Sequence, residues 1–328
     1  MRPVSKIFGF NLLLILLGVT GALATAQDEP FVIRSDTRLV VLHMSVFDHA
    51  GKLVTNLPRD TFKVFENNVE QQVKVFKRED IPVSLGILVD NSGSMRGEKR
   101  ERVEHAVIQL VKASNRQDEV FIVNFNDDAY LDVPFTNDIH KLEEGIARID
   151  SKGGTAMRDA VSMSIDYLKQ EGKIDKRVLL IVTDGNDTTS TGITLEKLVE
   201  KLHKNPELLV YAIGILGEED RREAGKAKRA LDSMTRASGG FSLYPKDIGE
   251  VESMAQEVAH DIRNQYVLAY SPSNQNLDGS FRQIRVAAGK YTVRTRTGYY
   301  ATPEEPKKRA TVPAQPEQKA AAQAEPKD

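Results

Sequence analysis

Four apolar runs, at 83–89, 120–125, 178–183 and 208–213, alternate with stretches in which apolar residues recur every three or four positions. Val103, Ala106, Val107, Leu110 and Val111 follow the spacing of one helix face, as do Met157, Ala160, Val161, Ile165 and Leu168. A strand that is apolar throughout is buried on both sides. Strand, helix, strand repeated several times then requires crossover connections and a mostly parallel sheet covered by helices on both faces. Residues 130–135 read as an antiparallel edge, 241–244 as a last strand, and 248–264 as a closing helix. The expected fold class is α/β, a doubly wound and mostly parallel sheet, with a small β-sandwich module beside it.

That second module is read from a change of period. Between 31 and 77 the pattern alternates, with Val40, Leu42, Met44 and Val46, then Phe62 and Val64, then Val73 and Val75 on one side of half-buried strands. Asp48-His49-Ala50-Gly51 and Glu66-Asn67-Asn68 supply the reversals. Strands return at 265–270, 281–287 and 291–296, with Asp278-Gly279 expected to form a hairpin turn. Three strands alone make a poor domain, so they are expected to join the N-terminal strands and leave the α/β region as an insertion.

The expected layout is therefore a signal peptide at 1–26, a β module at 27–80, the α/β domain at 81–264, completing strands at 265–300 and a disordered tail at 301–328. Arg2 and Lys6 precede a short apolar core, and Ala24-Thr25-Ala26 forms a small-residue cleavage site, the three parts of an export signal. Export to the periplasm or beyond is expected, with no stable membrane span once the signal is removed. The tail holds five of the 13 prolines and no aromatic residue, so it lacks the apolar surface that folding requires. With 0 cysteines there is neither a disulfide nor a thiolate metal site. The formal charge of −2 becomes −4 when the first 26 residues, with two basic and no acidic side chains, are removed, and gives no reason to expect a nucleic-acid partner. The six histidines show no close metal-ligand spacing.

The chemistry is concentrated where apolar runs stop. Asp90, Ser92 and Ser94 lie in a polar loop after the first run, Thr155 follows Gly153-Gly154 at the start of an amphipathic segment, and Asp184 follows the run at 178–183. In an open parallel sheet the carboxyl ends of neighbouring strands share one edge, so these five oxygens are expected to converge. Two carboxylates and three neutral hydroxyls suit Mg2+ (or Mn2+ or Ca2+), which would keep enough residual charge to accept an outside carboxylate. The other reading of Asp90, Ser92 and Ser94 is a helix cap for the segment near Glu98.

Asp90-x-Ser92-x-Ser94, Thr155 after a glycine pair, and Thr183-Asp184-Gly185 together resemble the metal-ion-dependent adhesion site of von Willebrand factor type A domains. The resemblance covers about 83–264. It implies that Ser92, Ser94 and Thr155 bind the cation directly or through water, that Asp90 and Asp184 act largely through water, and that a change of coordination shifts the last helix. Phe62 to Asn67, Phe281 and Gly298-Tyr299-Tyr300 are similar to bacterial exported "VWFA-related" proteins.

The expected function is non-enzymatic adhesion, in which a protein partner's Asp or Glu completes the coordination of the cation. An envelope scaffold with a structural metal is the alternative. A Mg-dependent phosphohydrolase is disfavoured because no second acid stands at the second position after Asp90, where Ser92 lies, and no phosphate-binding loop or nucleophile elbow is present. The loops at 186–191 and 217–222 are candidates for specificity. Arg282, Arg285, Arg294 and Arg296 alternate so as to place a basic, solvated face on the C-terminal strands.

Overall fold

A computed structural model describes residues 38–303 apart from 79, 147–150 and 218–219. The expected signal peptide, all but the first three residues of the expected tail, and part of the 217–222 loop lie outside the described residues. The first strands, β1 (Val40–Phe47), β2 (Phe62–Glu66), β3 (Val69–Gln71) and β4 (Val73–Arg78), are short and alternating. Between β2 and β3 the chain reverses at Asn67 and Asn68, both at positive φ, a backbone region in which asparagine is better tolerated than most side chains.

From Ser84 the chain builds the α/β region: β5 (Ser84–Asp90), α1 (Glu98–Lys112), β6 (Glu119–Phe125), β7 (Ala129–Thr136), α2 (Ile139–Ile146), α3 (Met157–Glu171), β8 (Arg177–Thr183), α4 (Leu195–His203), β9 (Leu208–Gly214), α5 (Arg221–Ser238), β10 (Ser242–Leu243) and α6 (Val251–Arg263). These strands form one sheet of order β10-β9-β8-β5-β6-β7, parallel except for the edge strand β7. One face packs Val103, Val107 and Leu110 of α1, Leu142 and Ile146 of α2, and Val251, Val258 and Ile262 of α6. The other packs α3, α4 and α5 through Val161, Leu198 and Met234. The fold is α/β with a mostly parallel central sheet, accompanied by antiparallel sheets. Gly86 shows how tightly the sheet centre is filled: a Cβ there would lie 2.3 Å from Phe121 Cζ and 2.6 Å from Leu179 Cδ2.

The last described strands are β11 (Tyr266–Tyr270), β12 (Phe281–Ala288), β13 (Thr292–Arg294) and β14 (Gly298–Tyr300). They enter two antiparallel sheets with the N-terminal strands, of order β13-β1-β11-β4 and β14-β12-β2-β3. Val40, Leu42, Met44, Phe62, Val64, Tyr266, Leu268 and Ile284 form their shared core. At its edge Tyr270 and Tyr299 both donate to Glu66 Oε2, at 2.7 and 2.9 Å.

Two local expectations are corrected. Gly279 has the positive φ of a tight turn, but Asp278-Gly279 does not make a hairpin of β11 and β12, which lie in different sheets. The loop instead pairs with the segment just after the last strand, Gly279 N–H donating to Ala301 O. The four arginines form no single basic face. Arg282 and Arg296 are buried, whereas Arg285 lies over the Phe65 ring and Arg294 over those of Phe47 and Phe241. Alternation along a strand assigns sides, and here it divides the four arginines between a buried side, Arg282 and Arg296, and an exposed one, Arg285 and Arg294.

Candidate functional site

Sheet order fixes where a site can form. The chain runs from β5 outward through β6 and β7, then returns to the other side of β5 to lay down β8, β9 and β10. The switch point lies between β5 and β8, where loops leaving the carboxyl ends diverge and open a crevice. Asp90 ends β5, and Asp184 follows β8 immediately.

The oxygens there form a connected chain. Ser92 N–H donates to Asp90 Oδ1 at 2.9 Å, and Thr183 Oγ donates to Asp90 Oδ2 at 2.5 Å. Ser92 Oγ and Ser94 Oγ are 3.1 Å apart, and Ser94 Oγ donates to Asp184 Oδ1 at 2.8 Å. Asp90, Ser92, Thr155 and Asp184 are all buried. The Thr155 segment is brought alongside through the backbone, Gly93 N–H donating to Gly153 O at 3.1 Å. Thr155 N–H donates to Thr188 Oγ at 3.0 Å, so the 186–191 loop buttresses this strand-to-helix turn. Asp187 anchors the same loop to the start of α3, accepting from Arg158 N–H at 2.7 Å and pairing with its guanidinium at 3.0 Å. Beyond it Asp127 accepts from Gly154 N–H at 2.7 Å.

Helix capping does not account for the loop. Ser92 precedes a single 3-10 turn, Gly93–Met95, without a side-chain cap bond. Helix α1 instead starts after Gly97, at φ 70, also without one. Met95 packs into the core beneath the loop, and Asn91 Oδ1 accepts from Ser151 N–H, so neither offers an oxygen to the cluster.

Burial pushes the Asp90 carboxyl up to about 6, the Asp184 charge adds to the rise, and the bonds from Ser92 and Thr183 oppose it. Two adjacent buried carboxylates call for a positive charge. Lys99, the second residue of α1, supplies one, its Nζ lying 2.8 Å from Asp184 Oδ2. Neither Lys99 nor the Thr183 bond to Asp90 was legible in the apolar periodicity.

Among the described residues, no group of three or more His, Cys, Asp or Glu is placed to hold a metal ion. The cluster at the switch point has only two carboxylates, its remaining donors being hydroxyls. A set of hard oxygens around two acids fits Mg2+ or Mn2+, which bind through one or two carboxylates and retain water. A groove of about 500 Å³ lined by Asp159, Met163, Asp166 and Tyr167 along α3 includes none of these residues.

The chain is similar to several known proteins. Bovine inter-alpha-trypsin inhibitor heavy chain H4 is 25% identical over 214 residues, covering 59% of this chain and 22% of its own length. The human protein of that name is 24% identical over 210 residues, again with 59% and 22% coverage. The chain thus spans about a fifth of the length of these curated relatives. Among solved structures, a von Willebrand factor type A protein from Catenulispora acidiphila is 13% identical with a TM-score of 0.48, covering 73% of this chain and 75% of that one. Proximal thread matrix protein 1 from the mussel byssus, with a zinc-occupied MIDAS motif, is 14% identical with a TM-score of 0.49, covering 60% and 50%. The family profile described as the von Willebrand factor type A domain matches residues 85–186, from within β5 to just past Asp184. This chain therefore carries a von Willebrand factor type A domain.

Proposed function

We propose that the protein is an exported adhesion or recognition protein, in which Asp90, Ser92, Ser94, Thr155 and Asp184 hold a divalent cation, Mg2+ or Mn2+, for a partner's carboxylate. The observation that carries this reading is the hydrogen-bonded chain across the switch point, from buried Asp90 through Ser92 and the exposed Ser94 to buried Asp184. A cation bound there would offer a Lewis-acidic position to an Asp or Glu side chain of a protein ligand. Ser92 and Ser94 would present neutral oxygens, Asp90 and Asp184 the balancing charge, and the 186–191 loop would hold Thr155 in register. Among the described residues no helix is long and apolar enough to cross a membrane.

Phosphoryl transfer from Asp90 is disfavoured on geometry. A nucleophile needs a line of approach to its substrate, whereas Asp90 is fully buried.

The layout proposed with this function is an α/β domain at 81–264 inserted into a β module made of 27–80 and 265–300, with a signal peptide at 1–26 and a tail at 301–328. Truncation after Asn264 tests it. Loss of β11 and β12, which pair with β1, β4 and β2, should leave the N-terminal strands protease-sensitive, and full resistance would overturn the insertion.

The functional test is a pull-down of envelope and secreted proteins on the immobilised mature chain, in Mg2+ and in EDTA, with Asp90→Ala as control. Adhesion predicts a partner retained only with Mg2+ and intact Asp90. Partners indifferent to both would move recognition to the β module and leave the cation a structural role.

A further inference from the structure

Both oxygens of Asp184 are already engaged within the chain. Ser94 Oγ lies 2.8 Å from Oδ1 and Lys99 Nζ 2.8 Å from Oδ2, with the carboxylate 1% and the lysine side chain 14% exposed. Among the ion pairs described in the molecule, this one joins a proposed cation ligand to a basic side chain of the same loop-and-helix segment that carries Ser92 and Ser94. We propose that Lys99 is a tethered competitor of the divalent cation: its ammonium and the cation hold Asp184 in alternation, and this exchange sets the affinity and charge selectivity of the site. The inference rests on the proposed cation-binding reading and says how that site is regulated.

Charge balance is the reason for exchange rather than joint occupancy. Asp90 and Asp184, when ionised, bring two negative charges into a buried space, and Lys99 balances one of them. A divalent cation that displaced Lys99 would leave the cluster neutral, whereas one bound beside it would leave an excess positive charge in a buried site, where unpaired charge is expensive. A monovalent cation replacing the ammonium changes nothing in this balance. The lysine therefore selects for divalent ions by making the entering charge exceed the one removed.

The local structure allows the movement. Lysine is a point charge on a flexible four-carbon stem, and Lys99 is the second residue of α1, in its first turn after Gly97, with 14% of its side chain exposed. Swinging outward would return the ammonium to water and place it at the rim of the site, where it meets an acidic partner. The same side chain would then resist the cation before loading and favour the ligand's carboxylate afterwards.

The experiment uses the full mature chain and Mn2+ alone as probe, with free Mn2+ followed by electron paramagnetic resonance. Wild type, Lys99→Met, Lys99→Ala, Lys99→Arg and Asp90→Ala are titrated at neutral pH. Lys99→Met and Lys99→Ala should bind Mn2+ at least tenfold tighter than wild type, a change of about 1.4 kcal/mol, while Lys99→Arg, which keeps the charge, stays within a few-fold. Thermal unfolding adds a second readout, because loss of a purely structural lysine would leave the same gap to wild type in EDTA and in Mn2+. Lys99→Met should unfold below wild type in EDTA, and the gap should close or reverse in Mn2+. Equal or weaker Mn2+ binding by both neutral variants, with binding lost in Asp90→Ala, would overturn the competitor role and leave the cation site standing. Mn2+ binding by Asp90→Ala equal to wild type would overturn the site and the competitor together.

Discussion

The site burdens the metal-free protein with a buried carboxylate, and Asp90→Asn should expose that cost. Burial raises the Asp90 carboxyl from its ordinary 3.8 to about 6, a rise of about two pH units. At 1.36 kcal/mol per unit, keeping Asp90 ionised in the folded state costs about 3 kcal/mol above pH 6. The sign follows from proton binding. Between 3.8 and 6 the folded chain holds the proton more tightly than the unfolded chain, so acidification through this window relieves the cost. Asparagine keeps the acceptor for Ser92 N–H, and Thr183 Oγ, which now donates to Oδ2, can accept from its amide instead. In EDTA at pH 7.5, Asp90→Asn should therefore be about 1 to 3 kcal/mol more stable than wild type by urea denaturation, a gain that shrinks to near zero below pH 4. The gain should come with loss of cation-dependent binding, the usual exchange of stability for function at a charged site. A destabilised variant at pH 7.5, or a gain that ignores pH, would refute the argument that Asp90 is held against its own desolvation.

Two further predictions concern the scaffold. Gly86→Ala should lower stability by about 1 to 3 kcal/mol by forcing Phe121 and Leu179 apart at the sheet centre, and an unchanged urea midpoint would contradict the packing. His43, whose Nδ1 is sealed from solvent without a partner, has its pKa lowered to about 3 by burial and by the Lys176 and Arg296 charges. Its contribution to stability is complete above 6.5 and declines as pH falls towards 3, by up to about 1.4 kcal/mol per pH unit. His43→Gln should flatten that acid slope, and an identical slope in the variant would exclude His43 as its source. The His43 effect opposes that of Asp90, so the Asp90→Asn comparison is read as a difference from wild type at each pH.

Much of the α/β architecture was legible because buried parallel strands are apolar throughout and their interruptions are abrupt. The runs ending at Asp90 and Asp184 became β5 and β8, neighbours in the sheet, which is why oxygens ninety residues apart meet. Helices α4 and α5 carry the same periodicity at Leu198 and Leu202 and at Ala227, Leu231 and Met234. The β module resisted local reading. Asp278-Gly279 has the right turn chemistry, yet which strand β12 pairs with is decided by β2, more than two hundred positions earlier. At the candidate site, residue type and loop position brought out Asp90, Ser92, Ser94, Thr155 and Asp184. The Lys99 contact left no trace in the pattern, because an early helical lysine is ordinarily solvated and only the tertiary placement of Asp184 brings it inward.

The most direct test of the central claim is anomalous diffraction from crystals of the mature protein grown with Mn2+. The proposed site predicts one strong peak at the switch point, within coordination distance of the Ser92 and Ser94 hydroxyls and close to Asp90, Thr155 and Asp184. A peak elsewhere, or none at an Mn2+ concentration that saturates binding in solution, would contradict it.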